Sequence, residues 1–289
     1  MSFFNPLPLL PALIPRRPYR DDRTYVRPLD EEELQEFLED TSDIQGTLDL
    51  WNKHSGLPGI LEGTVREEDR KTLQTHAPRR LVDIYFDRKI GFWRYVQSGR
   101  RIYPSRVRSG VMRISKFSER SMRDLTRQLV NGEISREAWY RSMRQMMKDE
   151  YRAAYLASIG GLDNYDRSEV SKFGWRMRPH YRWLNNFLEE LNSGKQPLNG
   201  FAVNRAGMYG RAGNSIYWNN MANVAEENGF DEYLRILGEN DNHCHDTEST
   251  NGCIELAALG WQPMSRFVPI GGATCLSNDL CTLKFRRSA

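Results

Sequence analysis

No cysteine precedes Cys244 in this chain of 289 residues. A disulfide framework spread over the body is therefore excluded, and any cysteine cross-link must be local to the last stretch of sequence. A charge excess is missing as well: 41 Lys and Arg stand against 38 Asp and Glu, for a net charge of +3. So small an imbalance gives no argument for a nucleic-acid partner. No run of about 18 apolar residues occurs, so no transmembrane helix and no membrane partner is expected. The opening residues lack the positive start of a secretory signal, because Arg16 and Arg17 follow the apolar stretch instead of preceding it. There is no P-loop, dinucleotide fingerprint, G-x-S-x-G elbow, H-x-E or H-E-x-x-H. These absences point away from an enzyme.

What is present is a polar but foldable chain, with 39% apolar and 27% charged residues. That suits one large domain or two smaller ones. Seven Trp, 13 Tyr and 12 Phe are many for so polar a sequence. They fit either interface cores or small helical cores. Residues 1–29 carry Pro6, Pro8, Pro11, Pro15 and Pro18, which forbid a regular helix and favour extended chain. The segment reads as an arm, with Phe3, Phe4, Leu9, Leu10 and Ile14 as candidate interface residues. A frayed tail is the other reading.

Residues 30–82 read as mixed loops and short helices, the first capped by Asp30, with breakers at Gly46, Gly56, Pro58, Gly59 and Gly63. Residues 83–104 read as a small β hairpin or three-stranded meander, because β-branched and aromatic residues dominate DIYF and FWRYV. Residues 105–238 read as a helical body. Val107, Val111, Ile114, Met122, Leu125 and Leu129 fall on one helix face. Arg106, Arg108, Arg113, Arg120, Arg123 and Arg127 lie off that face. They form a solvated or ion-paired surface or, alternatively, a nucleic-acid contact. Ser135 starts a second helix bearing Trp139, Met143, Met146 and Ala154, and Gly160-Gly161 ends it. A third begins near Ser168 with Phe173, Trp175, Tyr181, Leu184, Leu188 and Leu191, and Pro179 should kink or split it. A fourth follows Gly200, where Ala206, Gly210 and Gly213 leave room for a close neighbour. A short segment through Leu234 and Leu237 then leads to residues 239–289.

Those last residues hold Cys244, Cys253, Cys275 and Cys281 in the pattern H-C-H-x7-C, x21, C-x5-C. Four thiolates suit a structural zinc ion. Disulfides would need an oxidising compartment, and free buried thiols are a third option. His243 and His245 flank Cys244 and are possible substitute ligands. Trp261 and Val268 are the expected apolar filling, and residues 281–285 alternate as a strand does. So small a module cannot stand on apolar burial alone, so a metal or cross-link is physically expected.

The chain resembles the minor head, or head-morphogenesis, proteins of tailed bacteriophages, the Mu F-like class. The resemblance rests on GFWRYVQSGRRIYPSRVR, LTRQLVNGEISREAWYRSMRQMMKDEYRAAYLASIGG, the Tyr181-x-Trp183-Leu184-x-x-Phe187 helix, Arg205-Ala206-x-Met208-Tyr209 and the terminal HC…C…GW.P…IGG..C…C module. It spans roughly residues 90–285. Relatives open the module with a tight H-C-x-x-C, whereas here six further residues separate Cys244 from Cys253. Relatives also close it with three spaced cysteines, where this chain has Asp279 in the middle position. The resemblance implies a virion structural protein of the capsid, portal or neck that acts by binding other phage virion proteins. Alternatives are a DNA-binding virion protein, a cement or neck connector and, more remotely, a zinc hydrolase or deaminase.

Overall fold

Proline and serine open the first two long helices of the body. Tyr103 is extended, Pro104 occupies the first helical position, and the helix then runs 27 residues. Ser135 caps the next by accepting the amide of Ala138 at 3.1 Å. The computed structural model describes residues 44–62, 84–87, 92–95, 98–238, 243–246, 251–275 and 279–288. The expected arm 1–29 with its interface residues Phe3, Phe4, Leu9, Leu10 and Ile14, and the helix capped by Asp30, lie outside them.

The described chain is mainly helical with two small antiparallel sheets. In order come α1 (Gln45–His54), the hairpin β1 (Ile84–Asp87) and β2 (Phe92–Tyr95), α2 (Pro104–Val130), α3 (Arg136–Ile159), α4 (Arg167–Asn192), α5 (Gly200–Tyr209) and α6 (Gly213–Glu227). A C-terminal knob follows: β3 (Glu232–Ile236), α7 (Cys253–Ala258), β4 (Trp261–Pro263) and β5 (Thr282–Arg286).

Helix α3 is the centre. It packs against α1, α2, α4 and α6, and every residue from Met147 to Ile159 is buried. That explains one departure from the periodicity reading. The predicted stripe contains Met146, which is only partly buried, whereas Met147 is sealed. A helix surrounded on all sides has no single apolar face. Two of its buried charged side chains, Asp149 and Arg152, share Thr47 of α1. Asp149 accepts from Thr47 Oγ1 at 2.9 Å and from Gln145 at 2.8 Å, and Arg152 donates to Thr47 Oγ1 at 2.8 Å. This cluster fixes α1 on α3.

On α2 the expected stripe is buried at Val107, Val111, Ile114, Met122 and Leu129, with Leu125 at its edge. The hairpin forms in the register Ile84↔Tyr95 to Asp87↔Phe92, and a single bridge pairs Arg94 with Arg101. Trp93 donates its indole N–H to the carbonyl of Ala157 at 3.0 Å and so pins the hairpin to the end of α3.

Pro179 does not split α4. A proline inside a helix costs about 3 kcal/mol. Burial of Phe173 and Met177 before it, and of Leu184 and Phe187 after it, outweighs that cost. Trp175 and Tyr181, expected on the buried face, are only partly covered. The single helix expected after Gly200 is instead two, broken at 210–212. At the break the backbone of Gly210 presses on α2. A Cβ there would stand 2.4 Å from the amide nitrogen of Glu119. The carbonyl of Tyr209 is taken by the Tyr151 hydroxyl at 2.8 Å, which satisfies an end that a continuous helix would have bonded internally.

Residues 232–236 are a strand, not a lead-in to the last module. β3 is the middle of the sheet order β4-β3-β5. Its alternation buries Tyr233 and Arg235 and leaves Leu234 partly open. Trp261 and Val268 are only partly buried too. Tyr233, Leu256, Met264, Phe267, Ile270 and Leu283 fill the knob. Among the described residues, no helix is long and apolar enough to cross a membrane.

Candidate metal centre

Three segments bring sulfur to one place in the knob. Cys244 lies on the described stretch 243–246, Cys253 is the first residue of α7, and Cys275 follows the Gly271-Gly272 turn. Gly252 makes the first meeting possible. A Cβ at this position would sit 2.7 Å from the amide nitrogen of Asp246 and 2.9 Å from the carbonyl oxygen of Cys244. With no side chain there, the amide of Cys253 donates to Cys244 Sγ at 3.1 Å, and that of Ile254 to the Cys244 carbonyl at 3.4 Å.

Cys253 Sγ and Cys275 Sγ stand 3.2 Å apart. All four cysteines are free thiols, so the disulfide alternative is not what the structure contains. Donor atoms form two triads in which each atom lies within 4.8 Å of the others: Cys244, Cys253 and Cys275, and Cys253, Asp279 and Cys281. Cys253 belongs to both. Sulfurs about 2.3 Å from one tetrahedral ion are about 3.8 Å from each other, a spacing this cluster approaches. Soft, partly buried thiols are a suitable donor set for such an ion. The cysteine cluster can hold a metal. Neither triad holds all four cysteines, and Cys253 is the donor common to both.

Asp279 is occupied by its own neighbours. Oδ2 accepts from Arg235 Nη1 at 2.8 Å and from the Gly271 amide at 3.0 Å. Oδ1 accepts from the Cys281 amide at 3.1 Å and lies 3.8 Å from Cys253 Sγ. The thiols do not titrate alike. The hydrogen bond with Cys281, and then burial, hold the Cys253 thiol well above its ordinary range. Burial pushes Cys275 up to about 12. The same hydrogen bond from Cys253 holds Cys281 below the usual thiol value.

The two histidines do not join the cluster. Neither belongs to either triad, and His245, 61% exposed, pairs with Glu255. Of the six arginines singled out on α2, five are bonded within the chain. Arg106 reaches Tyr95, Arg108 reaches Asn214 and the carbonyl of Leu280, and Arg113 reaches the carbonyl of Ser55. Arg123 pairs with Glu119, and Arg127 with Asp124. Arg120 is exposed. Sequence reasoning missed Arg235. Its place on a short strand between apolar residues was the available signal.

Comparison of the chain with protein families, with curated proteins and with solved structures finds no match.

Proposed function

We propose that this chain is a structural protein of a tailed-phage virion, working in head assembly through contacts with shell, portal or neck proteins, and that a zinc ion on Cys244, Cys253, Cys275 and Cys281 closes its C-terminal knob. The observation that carries the reading is the convergence of thiols from separate segments on one point of a module too small to be held by its own apolar core. The resemblance of residues 90–285 to minor head proteins supports the assembly role. Zinc bound by thiolates contributes folding free energy to its module directly.

The ordered head-protein motifs favour protein partners over DNA. The DNA reading would recruit arginines that already have partners within the chain, such as Arg108 and Arg113. The test is co-expression with the shell and portal proteins of the same genome, followed by sedimentation and elemental analysis. The chain should sediment with assembled shells and carry one zinc. A chain that stays in the supernatant under conditions where shells form removes the assembly role.

A further inference from the structure

The stretch that carries Cys281 is held from outside the knob. Asn214, the second residue of α6 and 1% exposed, donates its amide to the carbonyl of Asp279 at 3.0 Å and to that of Cys281 at 3.4 Å. Its own oxygen accepts from Arg108 Nε at 3.3 Å. The other end of that guanidinium, Nη2, donates to the carbonyl of Leu280 at 2.8 Å. Three successive carbonyls are thus taken by two side chains of the helical body. Gly238 also packs against the stretch, so near that a Cβ on it would stand 2.7 Å from the Leu280 oxygen.

These contacts matter because of what the stretch must do. Cys281 is the donor that brings the second triad to Cys253. Ordering one residue of a free chain costs about 1–2 kcal/mol of backbone entropy. A stretch already clamped at 279, 280 and 281 has met that cost before an ion arrives.

We propose that Arg108 and Asn214 are positioning residues for the metal centre, fixing the 279–281 backbone so that the Cys281 sulfur stays beside Cys253 and metal retention depends on the helical body. This rests on the cysteine cluster being a zinc site. Both residues act through the backbone of the ligand segment. Arg108 suits the task because its planar fork serves Asn214 and Leu280 at once with donors in a fixed geometry, whereas a lysine offers one flexible point charge.

The test uses the full chain prepared with zinc. Zinc content and the rate of transfer to a chromogenic chelator are measured for the wild type, Arg108→Gln, Asn214→Ala, Arg108→Lys and Arg113→Gln, with helical circular dichroism as the check on folding. Arg113 is the control, since it lies on the same helix and ties down the carbonyl of Ser55 at 3.0 Å instead of the knob. Loss of outer partners of metal ligands weakens sites by about 10–100-fold. Arg108→Gln and Asn214→Ala should therefore release zinc on the order of tenfold faster or more. Arg108→Lys should fall between, and Arg113→Gln should match the wild type, with helicity unchanged throughout. If Asn214→Ala does not fold, the partly exposed Arg108 position decides the matter alone. Wild-type release rates in Arg108→Gln overturn the positioning role and leave the zinc reading standing. Equal acceleration in Arg113→Gln also overturns it, because general loosening of the body would then be the cause. A wild-type chain that takes up no zinc overturns the zinc reading instead.

Discussion

Arg235 and Asp279 form an ion pair closed off from solvent, with Nη1 2.8 Å from Oδ2 and each side chain 1% exposed. The pair joins the middle strand of the knob to the segment bearing Cys281. The same guanidinium donates from Nη2 to the carbonyls of Val268 and Pro269 at 2.9 and 3.1 Å. Removing one partner of such a pair strands a buried charge and costs about 3–5 kcal/mol. Arg235→Met alone should destabilise the knob by about that much. The double variant Arg235→Met, Asp279→Asn should recover part of the loss. Denaturant unfolding followed by the tyrosine and tryptophan signals of the knob measures both, and an unaltered midpoint in Arg235→Met would contradict the expectation.

Cys253 is shared by the two donor triads, so Cys253→Ser should abolish zinc retention after dialysis. His245→Ala should leave zinc content unchanged. Elemental analysis reads both, and wild-type zinc in Cys253→Ser would remove this cysteine from the centre.

Much of the body was legible from spacing. The α2 stripe from Val107 to Leu129, the Ser135 cap and the Gly160 stop each follow from local rules. Where tertiary packing decided, spacing failed. On α3 complete burial begins at Met147, one residue after the Met146 that spacing picked out. The break at Gly210 depends on the α2 backbone lying against it, which no window along the chain contains. The cysteines announced the centre, but Arg235, Asn214 and the true role of Arg108 did not announce themselves. Their partners lie 44, 65 and 172 residues away.

Glu150, which is buried, and His180, which is half-buried, give opposite pH slopes. Burial pushes the Glu150 carboxyl up to about 8 from an ordinary 4.5, so the native chain keeps a proton that the unfolded chain releases. Its contribution to stability therefore declines as pH rises from about 4.5 to 8, then levels off. His180, deprived of hydration between the rings of Tyr151 and Trp183, is lowered to about 4 from 6.5. The native chain resists that proton, so stability declines as pH falls from 6.5 towards 4. Glu150→Gln should be more stable than the wild type above pH 8 by a few kcal/mol, roughly, and should converge with it near pH 4. His180→Gln should flatten the acid limb. Urea unfolding across the pH range tests both, and parallel curves for Glu150→Gln and the wild type would show that the carboxyl is not held protonated.

Gly210→Ala should cost about 3 kcal/mol, the upper end for overpacking, because the clash is with the backbone of Glu119. Gly132→Ala has φ at +73° and nothing within 4 Å. It should cost only the left-handed strain of about 1–2 kcal/mol. Thermal unfolding of the two variants should rank them in that order.

The sheet order puts β3 in the middle although it comes first along the chain. During synthesis this strand leaves the ribosome with both edges open and waits for neighbours; Glu232 meets Arg286 only after 54 further residues. The Arg235 charge has no counterion until Asp279 emerges. The complete three-stranded sheet and its buried ion pair can therefore form only after residues 279–286 have been made.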